Sequence, residues 1–354
     1  MKPTVERLKK LMKVKYRVPF VLSNFYIGQF FKFRKKSYAH PFWAQIEPTN
    51  YCNLKCKMCV QSTDPFLKRG FLSYEDFKII LNKLPFIIGL MLQGFGEPLL
   101  NKDLVKMIKY SSKKGYIVET TTNGTLITNS VAEKIVNSGL DSITFSLDGA
   151  TKESYEFYRT GSNFESVIRN IKNLSELRKR RNSNLKIHIN SIVTKRNYHE
   201  LPDLVNLCGE MNIDEIFIGF MLVQGDFPIE FNTEQKIYPN ETKLKDYLEK
   251  SLERAKMLGL KIHVNPFCGG KCDSPWTRIY VNYDGTVTPC CVIIKKIMGN
   301  LIKEDFDKIW NGEDYIEFRK KLIKGQIPKE CIGCPGVFGF LNKNSNSFQK
   351  KSTK

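Results

Sequence analysis

Between residues 42 and 266, short apolar and β-branched runs alternate with stretches whose apolar residues recur every three to four positions. The runs Phe42–Glu47, Ile87–Leu92, Tyr116–Thr122, Ser142–Leu147, Leu185–Val193 and Glu215–Phe220 predict six strands. Ser73–Leu84, Lys102–Lys113, Asn129–Ser138, Phe164–Lys179 and His199–Met211 predict amphipathic helices between them. Asn101 and Asn129 stand where N-caps belong, and Gly115 and Gly139 where helices commonly end. Strand followed by helix, repeated, implies a parallel sheet with right-handed crossovers. Six units are too few to close an eight-stranded barrel. The expected fold is therefore α/β, a partial and open (β/α)6 barrel. Loops at the carboxyl ends of such strands build the active site.

After Pro266 the pattern changes. Residues 268–334 hold six of the ten cysteines. They also carry a hairpin signal at Asp284-Gly285, between Ile279–Tyr283 and Thr286–Thr288, and then a helical run over Asp305–Ile323. Four regions follow: a basic, aromatic segment over 1–41, the partial barrel over 42–266, a small cluster-bearing module over 267–335, and a polar tail over 336–354.

Charge refines this division. The net charge is +20, of which residues 1–40 carry +10 and residues 341–354 carry +4. The remaining chain holds only +6, so the body is not itself a basic nucleic-acid surface, and no nucleic-acid partner is expected. Met1 to Lys15 is too charged for an apolar signal core, and ten cysteines in such a chain predict a reducing, cytoplasmic setting. Within the first segment, Lys9, Lys10, Lys13, Lys15 and Arg17 precede an aromatic run, Val18 to Phe33, which Arg34, Lys35 and Lys36 close. The run is too short and polar for a span. It suits either peripheral contact of residues 1–36 with an anionic membrane or a helix packed on the barrel.

The chemistry begins just after the first strand, where Cys52, Cys56 and Cys59 stand in a C-x3-C-x2-C run. Thiolates bind soft metals and iron–sulfur clusters, and a cubane normally takes four. This run supplies three, and the next cysteine is Cys208. A cluster on three thiolates keeps one iron open to a small molecule. A zinc knuckle is the alternative, although zinc sites usually pair C-x2-C with a second pair of ligands and no His lies near.

The spacing resembles the signature of the radical S-adenosylmethionine (SAM) enzymes, and further segments match that family in order. Gln93-Gly94-Phe95-Gly96-Glu97-Pro98 resembles its GGEP motif, with Phe95 in place of the second Gly. Thr121-Thr122-Asn123-Gly124 and Ser146-Leu147-Asp148-Gly149 resemble segments lining the SAM pocket. The resemblance implies that Cys52, Cys56 and Cys59 hold a [4Fe–4S] cluster whose fourth site SAM fills. Reductive cleavage of SAM then gives a 5′-deoxyadenosyl radical that abstracts hydrogen from substrate. It implies SAM contacts from Met58, Gly94, Gly96, Glu97, Pro98, Thr122 and Asn123, with Ser146 for the carboxylate or ribose, Arg159 for the carboxylate and Asn190 for a ribose hydroxyl. It also implies an electron donor such as ferredoxin or flavodoxin.

The C-terminal module resembles the SPASM/Twitch extension of the same superfamily. Cys272, Gly285 and Cys290 fit its C-x(9–15)-G-x4-C element, and Cys331-Ile332-Gly333-Cys334 adds a second pair. The resemblance implies one auxiliary [4Fe–4S] cluster on Cys272, Cys290, Cys331 and Cys334; a zinc ribbon on the same four is the alternative. Cys268 competes for the first position, and Cys208, in a helical stretch, is expected to be buried and inert. Cys291 is a candidate catalytic residue. In sulfatase-maturing relatives an Asp acts as base at this place, whereas a thiol can ligate iron, give up a hydrogen atom or serve as a structural neighbour of the cluster. The substrate is open: small molecule, sugar, cofactor, lipid-linked molecule or peptide. Forty N-terminal residues are few for a leader-recognition domain, which favours the non-peptide classes. The rival class is an iron–sulfur electron carrier or a zinc-binding interaction protein.

Overall fold

A computed structural model describes residues 34–64, 68–84, 86–221, 229–237, 241–264, 272–293, 295–332 and 334, with isolated positions at 23, 26, 27 and 30. Most of the basic N-terminal segment, Cys268 and the tail from 336 onward lie outside the described residues. Among the described residues, no helix is long and apolar enough to cross a membrane.

The six expected strands appear as β1 (Trp43–Ile46), β2 (Gly89–Leu92), β3 (Ile117–Thr122), β4 (Ser142–Ser146), β5 (Lys186–Val193) and β6 (Glu215–Phe220). A seventh, β7 (Lys261–Val264), follows the helix Thr242–Leu258 and pairs parallel to β6. Its four residues alternate polar and apolar at the sheet edge, so it has no continuous apolar run of the kind that marks an interior parallel strand. β8 (Arg278–Val281), β9 (Thr286–Thr288) and β10 (Gly299–Asn300) complete the sheet, in the order β10-β9-β8-β1-β2-β3-β4-β5-β6-β7. β8 runs parallel to β1, with Trp43 opposite Arg278 and Ile46 opposite Val281. The cysteine-rich C-terminal region thus extends the barrel sheet through its own first strand. The Asp284-Gly285 turn joins β8 to antiparallel β9, as the hairpin signal predicts.

One face of the sheet is mainly apolar. Ile187, Ile189 and Val193 on β5 and Ile216, Ile218 and Phe220 on β6 are buried in the core that also contains Leu204 and Leu244 of the covering helices. The alternate side chains face the concave side and stay partly exposed. Gly115 and Gly139 end their helices with φ of 86° and 82°, as expected. One of the two N-cap expectations needs correction. Thr128, in extended conformation, caps the helix Asn129–Val136 by accepting from the Val131 amide at 3.3 Å. Asn101 caps as expected, its Oδ1 accepting from the Asp103 amide at 2.8 Å just ahead of the helix Leu104–Lys113, while its Nδ2 donates to the carbonyls of Pro48 at 2.7 Å and Leu72 at 2.9 Å. The run Asp305–Ile323 is two helices, Phe306–Trp310 and Glu313–Ile323, because Asn311 and Gly312 leave the helical conformation.

Residues 34–40 are sewn to this C-terminal region. Asn311 accepts from the Ser37 amide at 2.9 Å and donates to the Ser37 carbonyl at 3.1 Å. The Trp310 indole donates to Ala39 at 3.0 Å and that of Trp276 to Arg34 at 2.7 Å. Arg319 lies beneath, stacked between Trp310 and Tyr315, and donates to the carbonyls of Pro275 and Trp310. Ile279 of β8 is fully buried in the core shared with β1. Truncation by Ile279→Ala is expected to cost about 2–5 kcal/mol. Calorimetry should show one cooperative transition moved to lower temperature. Separate melting of the C-terminal region would contradict the single sheet.

Candidate active site

The loop after β1 is held by its flanks. The Thr49 hydroxyl donates to the Gly70 carbonyl at 2.6 Å, and Asn50 donates to Lys68 and accepts from Gly70. Leu54 and Val60 bury their side chains on either side of Cys56. The amides of Lys55 and Lys57 donate to the carbonyls of Thr160 at 2.9 Å and Tyr158 at 3.2 Å. From the other side, the Gly94–Pro98 segment presses against the loop, with the Glu97 amide on the Tyr51 carbonyl at 2.8 Å. A Cβ on Gly96 would stand 2.3 Å from the Thr49 carbonyl oxygen and 2.4 Å from that of Tyr51. Only glycine permits this approach.

Cys52, Cys56 and Cys59 are free thiols and lie close enough to influence one another's ionisation. Each sulfur receives an N–H donor. The Leu54 amide at 3.5 Å and Asn123 Nδ2 at 3.9 Å face Cys52, Arg159 Nη1 at 3.9 Å faces Cys56, and the Gln61 amide faces Cys59. Burial pushes all three thiols up, Cys59 to about 11. Metal loading must therefore expel protons, and Arg159 works in that direction by favouring each thiolate. Arg159 is itself buried. Its Nε and Nη2 both reach Asp148 Oδ2 at 2.6 Å, and Asp148 Oδ1 accepts from the Ile192 amide at 2.8 Å. Burial works against the guanidinium charge, and Asp148 more than offsets it.

The other sequence-predicted positions fall around this centre. Glu97 is turned inward, accepting from the Thr122 hydroxyl at 2.8 Å, the Asn123 amide at 2.8 Å and the Leu99 amide at 3.2 Å. Burial raises its carboxyl to about 6 against those bonds. Glu97, Thr122 and Asn123 thus form one braced unit, which holds the Asn123 carboxamide beside Cys52, while Pro98 begins the short helical turn behind it. Ser146 and Asn190 are register partners on the concave side, and among the described residues neither side chain has a hydrogen-bond partner. Met58 is half-buried in the cysteine loop. Cys208 is fully buried, as expected.

The second set of thiols gathers at the far side of β1. Cys272 feels Cys334 and Cys291, Cys331 feels Cys334 and Cys272, and Cys290 bonds to Cys291. The amide of Cys334 donates to the Cys331 carbonyl at 3.0 Å. Burial pushes Cys272 to about 12. Cys291 moves the other way, to about 7, through its hydrogen bond with Cys290 and, beyond the opposing burial, the Arg278 charge and the Tyr280 phenol. Among the described residues, no group of three or more His, Cys, Asp or Glu is spaced to hold a single metal ion. A tetrahedral zinc at 2.3 Å needs sulfurs within about 4 Å of one another. A four-iron cubane attaches each thiolate to a different iron and takes a wider set.

Between the two thiol sets lies a small cleft lined by Gln45, Glu47, Gly94, Phe95, Tyr280 and Cys291. Glu47 accepts from the Phe95 amide at 2.7 Å and the Tyr283 amide at 3.4 Å, joining the Gly94–Pro98 segment to the end of β8. Burial raises its carboxyl to about 7. Glu47, Asp148 and Tyr280 were not singled out in the sequence. Asp148 sits inside the Ser146–Gly149 motif, and Glu47 ends the predicted first strand, so position alone offered a signal for both.

The geometry agrees with comparisons to known proteins. Residues 46–208 match the model of the Radical SAM superfamily, and residues 272–335 match that of an iron–sulfur cluster-binding domain, SPASM. The chain is 27% identical over 319 residues to an AdoMet-dependent heme synthase of Methanosarcina barkeri, covering 81% of this chain and 89% of the relative. It is 25% identical over 326 residues to the tungsten-containing aldehyde ferredoxin oxidoreductase cofactor-modifying protein of Pyrococcus furiosus, covering 82% and 86%. Among solved structures, Streptococcus suis SuiB bound to S-adenosylmethionine superposes with a TM-score of 0.67 at 19% identity, covering 85% of this chain and 72% of that one.

Two outcomes follow for the site. Gly96→Ala should leave a folded protein that retains about half its iron, because the clash falls on the Cys52 flank and not on the second thiol set; full iron content would contradict this. Glu47 has its carboxyl raised from about 4.5 to about 7, so its contribution to stability is present below pH 4.5 and is lost as pH rises through 7. Glu47→Gln should lack that loss, on the order of 3 kcal/mol, in thermal unfolding across this range.

Proposed function

We propose that this chain, a member of the radical SAM superfamily with a C-terminal SPASM iron–sulfur cluster-binding domain, is an enzyme that abstracts hydrogen from a cofactor-type small molecule, with Cys52, Cys56 and Cys59 holding its catalytic cluster. When bound, that [4Fe–4S] cluster and SAM supply a 5′-deoxyadenosyl radical, for one electron from a ferredoxin- or flavodoxin-type donor. The observation that carries the assignment is the convergence of three desolvated free thiols, each facing an N–H donor, at the carboxyl end of β1.

The chain's own residues divide the remaining work. Arg159, kept charged by Asp148, draws negative charge toward Cys56 and has donors left for a carboxylate. Ser146 and Asn190, whose side chains have no hydrogen-bond partner among the described residues, stand on the concave side, where the SAM carboxylate and ribose would lie. Gly94 and Gly96 allow the backbone of the second strand to approach both the loop and the ligand. Met58, half-buried in the cysteine loop, would contact the adenine of SAM. Cys272, Cys290, Cys331 and Cys334 would hold the auxiliary cluster. Cys291 and Glu47 present a thiol and a carboxyl to the cleft between the thiol sets.

Two relatives matched along about four-fifths of this chain are named for heme synthesis and for cofactor modification. They favour a cofactor or its precursor over a peptide. The likeness to SuiB is one of fold, at 19% identity.

Anaerobic reconstitution with iron and sulfide, followed by SAM and dithionite, tests the reading. About eight irons per chain and formation of 5′-deoxyadenosine are expected. Cys56→Ala should lose about four irons and all 5′-deoxyadenosine, whereas Cys331→Ala should lose iron and keep SAM cleavage. Wild-type protein that binds zinc, with no iron and no cleavage, would overturn the proposal.

A further inference from the structure

The cysteine loop has an outward side that neither the SAM positions nor the cleft between the thiol sets uses. Its side chains alternate, with Cys56 buried and Lys55 and Lys57 exposed on either side of it. The backbone bonds from Lys55 to Thr160 and from Lys57 to Tyr158 fix this side against the helix Lys152–Tyr158. Lys57 Nζ stands 3.7 Å from the centre of the Phe157 ring on that helix. Arg196, in the turn after β5, brings its guanidinium carbon to 4.1 Å from the same centre. Phe157 is half-buried and meets Tyr158 edge-on at 5.1 Å, so its ring is a fixed support for both cations.

Two like charges drawn to one ring raise each other's energy. Neither is farther than 4.1 Å from the ring centre, so they stand within about a Debye length of one another. A cation over an exposed aromatic face gains only about 0.5–1 kcal/mol. Glu153 accepts from Arg196 at 3.1 Å, but its side chain is 85% exposed, and such a surface pair contributes little. Glu156 is turned away to the Phe164 amide at 3.0 Å. Among the described residues Lys55 and Lys57 have no carboxylate partner, and Lys195, beside Arg196, is exposed as well. Positive charge is thus concentrated here, in a body that carries only +6 over residues 41–340.

We propose that this face is where the electron donor docks, and that the donor is a small, acidic electron-transfer protein. The assignment rests on the proposed function and names the partner surface of its cysteine loop. An electron must enter the chain close to Cys52, Cys56 and Cys59. The Gly94–Pro98 segment covers one flank of the loop, and the concave side is the one proposed for SAM. The side of Lys55 and Lys57 is exposed and lies one residue from Cys56. Each encounter passes one electron: the donor is oxidised by one, the cluster on the loop is reduced by one, and no bond forms or breaks between the proteins. Redox encounters use small, transient interfaces, where complementary charge sets the association rate more than the affinity. Cations already placed on a rigid ring suit that use, since little side-chain freedom is lost when carboxylates meet them.

The test drives SAM cleavage in the reconstituted full chain with two reductants, chemically reduced flavodoxin and excess dithionite. The readout is 5′-deoxyadenosine, with the reduced-cluster electron paramagnetic resonance (EPR) spectrum as a check on the clusters. In wild type the flavodoxin-driven kcat/KM should fall steeply as sodium chloride is raised. Lys57→Glu combined with Arg196→Glu should lower it about tenfold or more, through KM for flavodoxin. Iron content, EPR spectrum and dithionite-driven rate should stay at the wild-type level. Lys179→Glu combined with Arg180→Glu, the same change of charge at the end of the helix Phe164–Arg180, should leave both rates as they were. An unchanged flavodoxin-driven rate in the first variant, or an equal loss with dithionite, overturns the docking face, as does an equal loss in the second variant. Wild type that cleaves SAM with dithionite but not with flavodoxin overturns the docking face alone, whereas no cleavage with dithionite overturns the proposed function.

Discussion

Arg159 meets Asp148 through Nε and Nη2, both 2.6 Å from the one oxygen Oδ2, in an ion pair almost wholly removed from water. Removing one partner of such a pair leaves an uncompensated charge, so the two side chains stand or fall together. Asp148 is fixed in turn by the Ile192 amide, and its carbonyl accepts from Asn197. Through these contacts β4, β5 and the following turn all bear on one guanidinium. That guanidinium meets Cys56, and the backbone around it holds the amides of Lys55 and Lys57. The cysteine loop is therefore positioned by the far wall of the barrel as much as by the strand it follows. A cluster binding negative charge into a desolvated pocket needs such a fixed cation, because water is not there to supply the compensation.

The second constraint is the parallel pairing of β1 with β8. It brings two thiol sets to opposite sides of one strand and leaves Glu47 as the link between the Gly94–Pro98 segment and the end of β8. The cleft that results is lined from both halves of the chain. Chemistry at the cysteine loop and chemistry at the C-terminal thiols share a boundary of a few residues.

Much of this was legible in the sequence, for a physical reason. Interior parallel strands are buried on at least one face, so β1 to β6 read as apolar or β-branched runs, and the turn at Gly285 requires the φ of +80° that glycine permits. Edge strand β7 escaped because its polar half faces the open concave side. One cap was misplaced by one residue, since Thr128 and Asn129 are both side chains that can cap a helix and only the structure shows which one accepts the Val131 amide. The cysteines announced themselves by spacing. The residues that control them did not, because Asp148 and Glu47 act through partners that are 11 and 48 positions away. Long-range pairing of that kind has no local pattern. The meeting of Lys57 and Arg196 over Phe157 was invisible for the same reason: three separate segments of the chain supply it.

The most direct measurement of the central claim is the EPR spectrum of the dithionite-reduced holoenzyme with and without SAM. If SAM binds the open iron of the cluster on Cys52, Cys56 and Cys59, one of two reduced-cluster signals should change on SAM addition while the other stays fixed, and Cys56→Ala should retain only the fixed one. Two signals indifferent to SAM, or a SAM-sensitive signal that survives Cys56→Ala, would contradict the account.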